Sequence, residues 1–197
     1  MPRRVSGSCD CGNDMDFPPR DLSTSRLCRE TRAVRIEALP TLVDVLSIDQ
    51  ETYDAIVAHA KRDHPDEACG VVAGPEGSDR PERFVPMVNA AGSPTFYEFD
   101  STELLRLYQD MDARDEEPVV VYHSHTATEA YPSRTDIGLA SEPNAHYVLV
   151  STREHGNSDG PVEFRSYRII DGLVTEEDVM ITTRDETPQQ TEEESTP

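Results

Sequence analysis

Three consecutive valines, Val119, Val120 and Val121, run into Tyr122-His123-Ser124-His125. Valine loses side-chain freedom in a helix and fits a pleated surface, and an unbroken apolar run fits a strand covered on both faces. Successive side chains of a strand point to opposite faces, so His123 and His125 project together from its end. Two imidazoles placed this way can grip one ion. Asp136 follows eleven residues after His125, at the start of a short helix predicted through Ile137, Gly138, Leu139 and Ala140, near enough to return as a carboxylate ligand. Three protein ligands leave the fourth position of a zinc ion to water, whose pKa then falls from about 15.7 to about 7.

A water attack on a carbonyl is the chemistry such a site offers. Ser133, three residues before Asp136, is placed to aim a hydroxyl at the oxyanion. The site also needs a base, and Glu67 is the candidate: in Asp66-Glu67-Ala68-Cys69-Gly70-Val71-Val72 it stands where a helix hands over to a buried strand. The polar loop from Thr126 to Pro132 carries Glu129 and Tyr131 as candidate substrate contacts.

The pattern His-x-His-x7-Ser-x2-Asp, with an upstream Glu before a Cys-Gly strand, resembles the JAMM (MPN-plus) metallopeptidase family from about Ser47 to about Thr183. The resemblance implies a cytidine-deaminase-like α/β fold, a curved mixed β-sheet flanked by helices. It implies Zn2+ held by His123, His125 and Asp136, with Glu67 as general base and Ser133 at the oxyanion. Many members carry Pro after the second histidine where this chain has Thr126, a departure that bears on the loop and not on the ligands.

Within the family the likeness is greatest to the bacterial CysO-cysteine peptidase type. It is carried by His64 through Gly70, Ser93-Pro94-Thr95-Phe96-Tyr97, and Tyr122 through Asp136. That branch implies a ubiquitin-like sulfur-carrier protein with a Gly-Gly C-terminus as partner and release of cysteine, in cysteine biosynthesis, as the reaction. Only ten residues lead from Asp136 to the next predicted strand at His146, whereas lysine-linkage-specific deubiquitinating relatives carry an insertion there, so a small leaving group is expected. Two other readings stay open: an isopeptidase on another ubiquitin-like conjugate, and a non-catalytic module that binds ubiquitin-like tails. A zinc deaminase needs a Pro-Cys-x-x-Cys ligand segment, and the sequence has none.

A net charge of −21 repels nucleic acid and anionic membrane surfaces and favours a protein partner. The N-terminus has no apolar signal core after Arg3-Arg4 and the chain no run long enough to span a bilayer, so a cytoplasmic protein is expected. Four cysteines, three of them before residue 30, do not form a disulfide framework, and Cys9 and Cys11 lack a second pair at zinc-finger spacing. Residues 1–44 are expected to be a disordered extension and 184–197 an acidic disordered tail, with the domain over 45–183. A native product starting downstream of Met1 is a further expectation, which intact mass checks.

Inside the domain, Ser47 and Gln50 suggest a capping box for a helix over about 50–62, ended by Pro65. Ala68–Ala73 reads as a central strand flanked by strands over Arg83–Val88 and Phe96–Phe99. Asp100 caps a second helix with a stripe of Leu104, Leu107, Tyr108 and Met111. Pro118 begins the motif strand, and strands over His146–Ser151 and Glu163–Ile170 follow, with Asp171-Gly172 turning toward Val174. His59 and His64 are expected at the surface, His146 in a structural role and His155 in an exposed loop.

Overall fold

The computed structural model describes residues 45–183. The expectations for 1–44, for 184–197 and for Cys9 and Cys11 lie outside the described residues. Seven strands form one curled mixed sheet: β1 Val45–Asp49, β2 Cys69–Pro75, β3 Arg83–Met87, β4 Glu116–His125, β5 His146–Ser151, β6 Glu163–Ile170 and β7 Leu173–Thr182, in the order β1-β7-β6-β5-β4-β2-β3. Helices α1 Gln50–Asp63, α2 Ser101–Asp112 and α3 Arg134–Leu139 complete the α/β fold. No helix among the described residues is long and apolar enough to cross a membrane.

The valine run behaves as its chemistry requires. Val119, Val120 and Val121 are all buried, because β4 lies between β2 and β5 and is covered on both faces. Val120 and Tyr122 join Ile56 and Ala60 of α1, while Val121 packs with Leu149 and Ile137 on the other face. Leu107 and Met111 of α2 cover that second face where β2 presents Cys69, Val71 and Ala73. Full burial of one such aliphatic side chain contributes about 1.5–3 kcal/mol. By alternation His123 and His125 leave β4 on the face that carries α2 and α3.

Several expectations need correction. The first helix starts directly after a strand, not after a Ser47 cap: Ser47 is the middle residue of β1, and Asp49 caps α1 by accepting from the Thr52 backbone N–H at 2.8 Å. β1 pairs in parallel with β7, a long-range contact that no local pattern announces. β2 is the second strand from its edge, between β4 and β3. Phe96–Phe99 forms no strand, only an isolated bridge from Phe99 to Asn89. The Asn89 side chain takes the place of a partner strand there, donating to the Phe96 carbonyl at 3.0 Å and accepting from the Glu98 N–H at 3.1 Å.

The histidines outside the motif are also more buried than expected. His59 is a core residue whose Nδ1 lies 2.6 Å from the Tyr122 hydroxyl and whose Nε2 lies 2.9 Å from Asp63. His64 is half-buried against Thr152, and His155 is half-buried in its loop. His146 has the structural role expected of it: fully buried, it bridges Glu177 of β7 and Asp79.

Candidate metal centre

The end of β4 and the first turn of α3 bring three ligand atoms to one point. Nε2 of His123 and Nε2 of His125 are 3.2 Å apart, and each is 3.4 Å from Oδ2 of Asp136. A tetrahedral ion with bonds of about 2.0–2.1 Å sets its ligand atoms about 3.3–3.4 Å apart. Two imidazole lone pairs and a carboxylate oxygen facing one point repel unless a cation or protons lie between them, so the residues fit a divalent cation of zinc's size.

Each ligand is oriented by a second contact. His125 Nδ1 donates to the Glu129 carbonyl at 2.8 Å, with the Thr128 hydroxyl at 3.0 Å, which leaves Nε2 as the lone-pair nitrogen facing the site. Tyr97 stacks on His123 with 4.5 Å between ring centroids. Asp136 Oδ2 accepts from the Ser133 N–H at 2.6 Å while the Asp136 N–H donates to Ser133 Oγ at 3.2 Å, a capping box that locks the ligand to its helix start.

Electrostatics follow from this enclosure. Burial works to raise the Asp136 carboxyl, but when no metal is bound and protons sit on the histidine nitrogens that face it, their hydrogen bonds outweigh burial and hold the group well below the usual carboxylate range. Burial lowers His123, which favours the neutral imidazole that a metal binds. Glu67 is pushed up to about 7 by burial, against the pull of His125 and with the help of Asp136. Its carboxyl faces the same cavity as His125, Asp136 and Ser133, a space of about 150 Å3.

The backbone around Glu67 is held from three directions. Its N–H donates to the Ser93 carbonyl and its C=O accepts from Asn89 Nδ2, both at 3.0 Å. The next residue, Ala68, donates to Ser124 Oγ at 2.8 Å, and Ser124 N–H returns a bond to the Ala68 carbonyl at 2.9 Å. The structure thus brings Glu67, His123, His125, Ser133 and Asp136 together. Neither Glu129 nor Tyr131 lines the cavity: Glu129 contributes its backbone carbonyl to His125, and the exposed Tyr131 ring packs edge-on against Tyr167.

Asn89, Tyr97, Ser124 and Thr128 went unassigned from sequence. Ser124 had a legible signal, since a hydroxyl between two site-facing residues must point to the opposite, buried face of the sheet and needs a partner there. Asn89 and Tyr97 come from an irregular segment whose path no periodicity reveals.

Residues 49–170 match the family described as prokaryotic homologues of the JAB domain. The CysO-cysteine peptidase of Mycobacterium tuberculosis is 65% identical over 139 residues, covering 71% of this chain and 92% of that protein. The desampylase of Haloferax volcanii is 32% identical over 111 residues, covering 54% and 80% of the two chains. Among solved structures, that of a Desulfitobacterium hafniense protein superposes with a TM-score of 0.61 at 29% identity, covering 73% of this chain and 96% of the other. The matched span holds every residue of the centre just described, and the chain belongs to the prokaryotic JAB-domain family, a peptidase of the JAMM/MPN group.

Proposed function

We propose that the chain is a zinc metallopeptidase that hydrolyses the amide between the C-terminal glycine of a ubiquitin-like sulfur-carrier protein and cysteine, releasing the cysteine. The observation that carries the chemistry is the convergence of His123, His125 and Asp136 on one point, beside a small cavity that Glu67 lines together with His125 and Asp136. The 65% identity to a protein named CysO-cysteine peptidase supports the substrate class, and a reaction that frees cysteine fits a release step in cysteine biosynthesis.

Bound by these three ligands, a zinc ion supplies Lewis acidity, polarising a carbonyl and bringing the pKa of a water to about 7. The chain's residues do the rest. Glu67, which lines the same cavity as His125 and Asp136, takes a proton from the attacking water and passes it to the amine as the C–N bond breaks. The water oxygen ends on the glycine carbonyl, the carrier regains a free carboxylate, and cysteine leaves as the amine. Ser133 serves twice: its oxygen accepts from the Asp136 N–H, and its hydroxyl hydrogen remains free to donate to the oxyanion.

The test is the intact mass of a Gly-Gly carrier extended by one C-terminal cysteine, before and after incubation with the protein, beside a chelated control. Chelator-sensitive loss of one cysteine residue is the expected result. An unchanged mass with zinc confirmed in the protein overturns the substrate, and turns attention to other ubiquitin-like conjugates or to tail binding without hydrolysis.

A further inference from the structure

Two loops face each other across the mouth of the cavity. One, after the Asn89-to-Ser93 turn, supplies Pro94 and Thr95 to its wall, and the other, directly after His125, supplies Ala127 and Thr128. Thr126 joins them: its hydroxyl donates to the Pro94 carbonyl at 2.9 Å. Among the described residues no other hydrogen bond ties these loops together. Pro94, Thr95, Ala127 and Thr128 are exposed, so burial does not hold the walls in place.

Pro94 belongs to the segment that already grips Glu67, whose N–H donates to Ser93. Thr126 belongs to the segment that follows a metal ligand. The hydroxyl therefore spans the base side and the ligand side of the site. The space it closes, about 150 Å3, is half of the roughly 300 Å3 at which ordinary ligand pockets begin. A space of this size suits one small amino acid rather than the side chain and flanking backbone of a folded amine donor.

We propose that Thr126 is a specificity-determining residue, a latch to Pro94 that holds the cavity mouth to the size of a single small leaving amino acid. The proposal rests on the amide-hydrolase reading above and adds what limits the leaving group. Thr126 touches no reacting atom; it acts through the spacing of the two loops.

The experiment compares zinc-loaded wild type, Thr126→Val and Thr126→Ser on two substrates. In one the carrier's terminal glycine is joined to cysteine; in the other it is joined to the lysine side chain of a peptide. In Thr126→Val the preference for the cysteine amide, as a ratio of kcat/KM values, should narrow by about tenfold, while Thr126→Ser keeps the wild-type ratio. In parallel, hydrogen exchange on the metal-free proteins should show faster exchange over residues 93–97 in Thr126→Val and wild-type exchange in Thr126→Ser. An unchanged ratio, or an equal fall on both substrates, overturns the proposal. If wild type cleaves neither substrate, the reaction reading fails by itself, and unchanged exchange in Thr126→Val then removes the latch as well.

Discussion

The phenol ring of Tyr97 lies over the imidazole of His123, 4.5 Å between centroids and 26° between planes. A stacked ring leaves the histidine one orientation, so Nε2 faces the other two ligands without first losing rotational freedom. Tyr97 also packs against the core cluster of Cys69, Val71 and Met87, so Tyr97→Ala should lose some stability and, still folded, bind zinc about tenfold more weakly. Competition against a chromogenic chelator measures this, and wild-type affinity in the variant would show that the stack orients nothing.

Under the proposed mechanism Glu67 combines its role as base with a stability cost. Its pKa in the folded chain, raised to about 7, lies above the ordinary 4.5. The folded state therefore holds the proton more tightly than the unfolded one, and the stability this supplies is full below the unfolded pKa and lost as pH rises through about 7. Glu67→Gln removes the titration. In metal-free protein, the variant's advantage in thermal stability over wild type should grow from about pH 5.5 to about pH 8.5. The zinc-loaded variant should keep its metal and lose turnover by about 10²–10⁴-fold. A stability gap that does not change with pH would mean that Glu67 is already ionised in the fold.

The site was legible where it is local. Strand alternation placed His123 and His125 on one face, and the serine-to-aspartate spacing of a helix start placed Ser133 and Asp136 together. The parts that depend on distant chain were not legible. β1 is too short to show a period, and its pairing with β7 joins segments far apart in the chain. Phe96–Phe99 has strand-like residues, but Asn89 satisfies its backbone from a side chain. Glu129, read as a substrate contact from its exposed loop, acts on the site through a carbonyl that every residue type possesses.

Ser124 links the two halves of the centre. Its buried hydroxyl accepts from the Ala68 N–H at 2.8 Å, one residue past Glu67 and between the two histidine ligands. Ser124→Ala leaves that N–H without its partner in the core, at a cost of about 1–3 kcal/mol. Urea unfolding reads the loss. Because the same bond sets the distance from Glu67 to His125, kcat should fall while zinc affinity holds, and a variant with wild-type kcat would separate stability from positioning.

Gly70 leaves room for the Tyr122 side chain of β4 to lie across β2. A Cβ there would lie 2.4 Å from the Tyr122 hydroxyl oxygen and 2.6 Å from both the Tyr122 ring and the Val85 carbonyl. Tyr122 has no room to withdraw: its hydroxyl is bonded to His59 at 2.6 Å, and its ring stacks on Phe84 with centroids 5.7 Å apart. Gly70→Ala should destabilise the fold by about 1–3 kcal/mol through overpacking. Tyr122→Phe removes only the nearest atom, so adding it to Gly70→Ala should recover part of the loss and not all of it, the Val85 carbonyl still being in the way. Tyr122 also directly precedes His123, so strain at Gly70 reaches this candidate ligand through one peptide unit. Zinc affinity should therefore fall with stability in Gly70→Ala and recover with it in the double variant. Unfolding and chelator competition on wild type, the two single variants and the double variant resolve that coupling, and a zinc affinity indifferent to Gly70→Ala would confine the strain to β2.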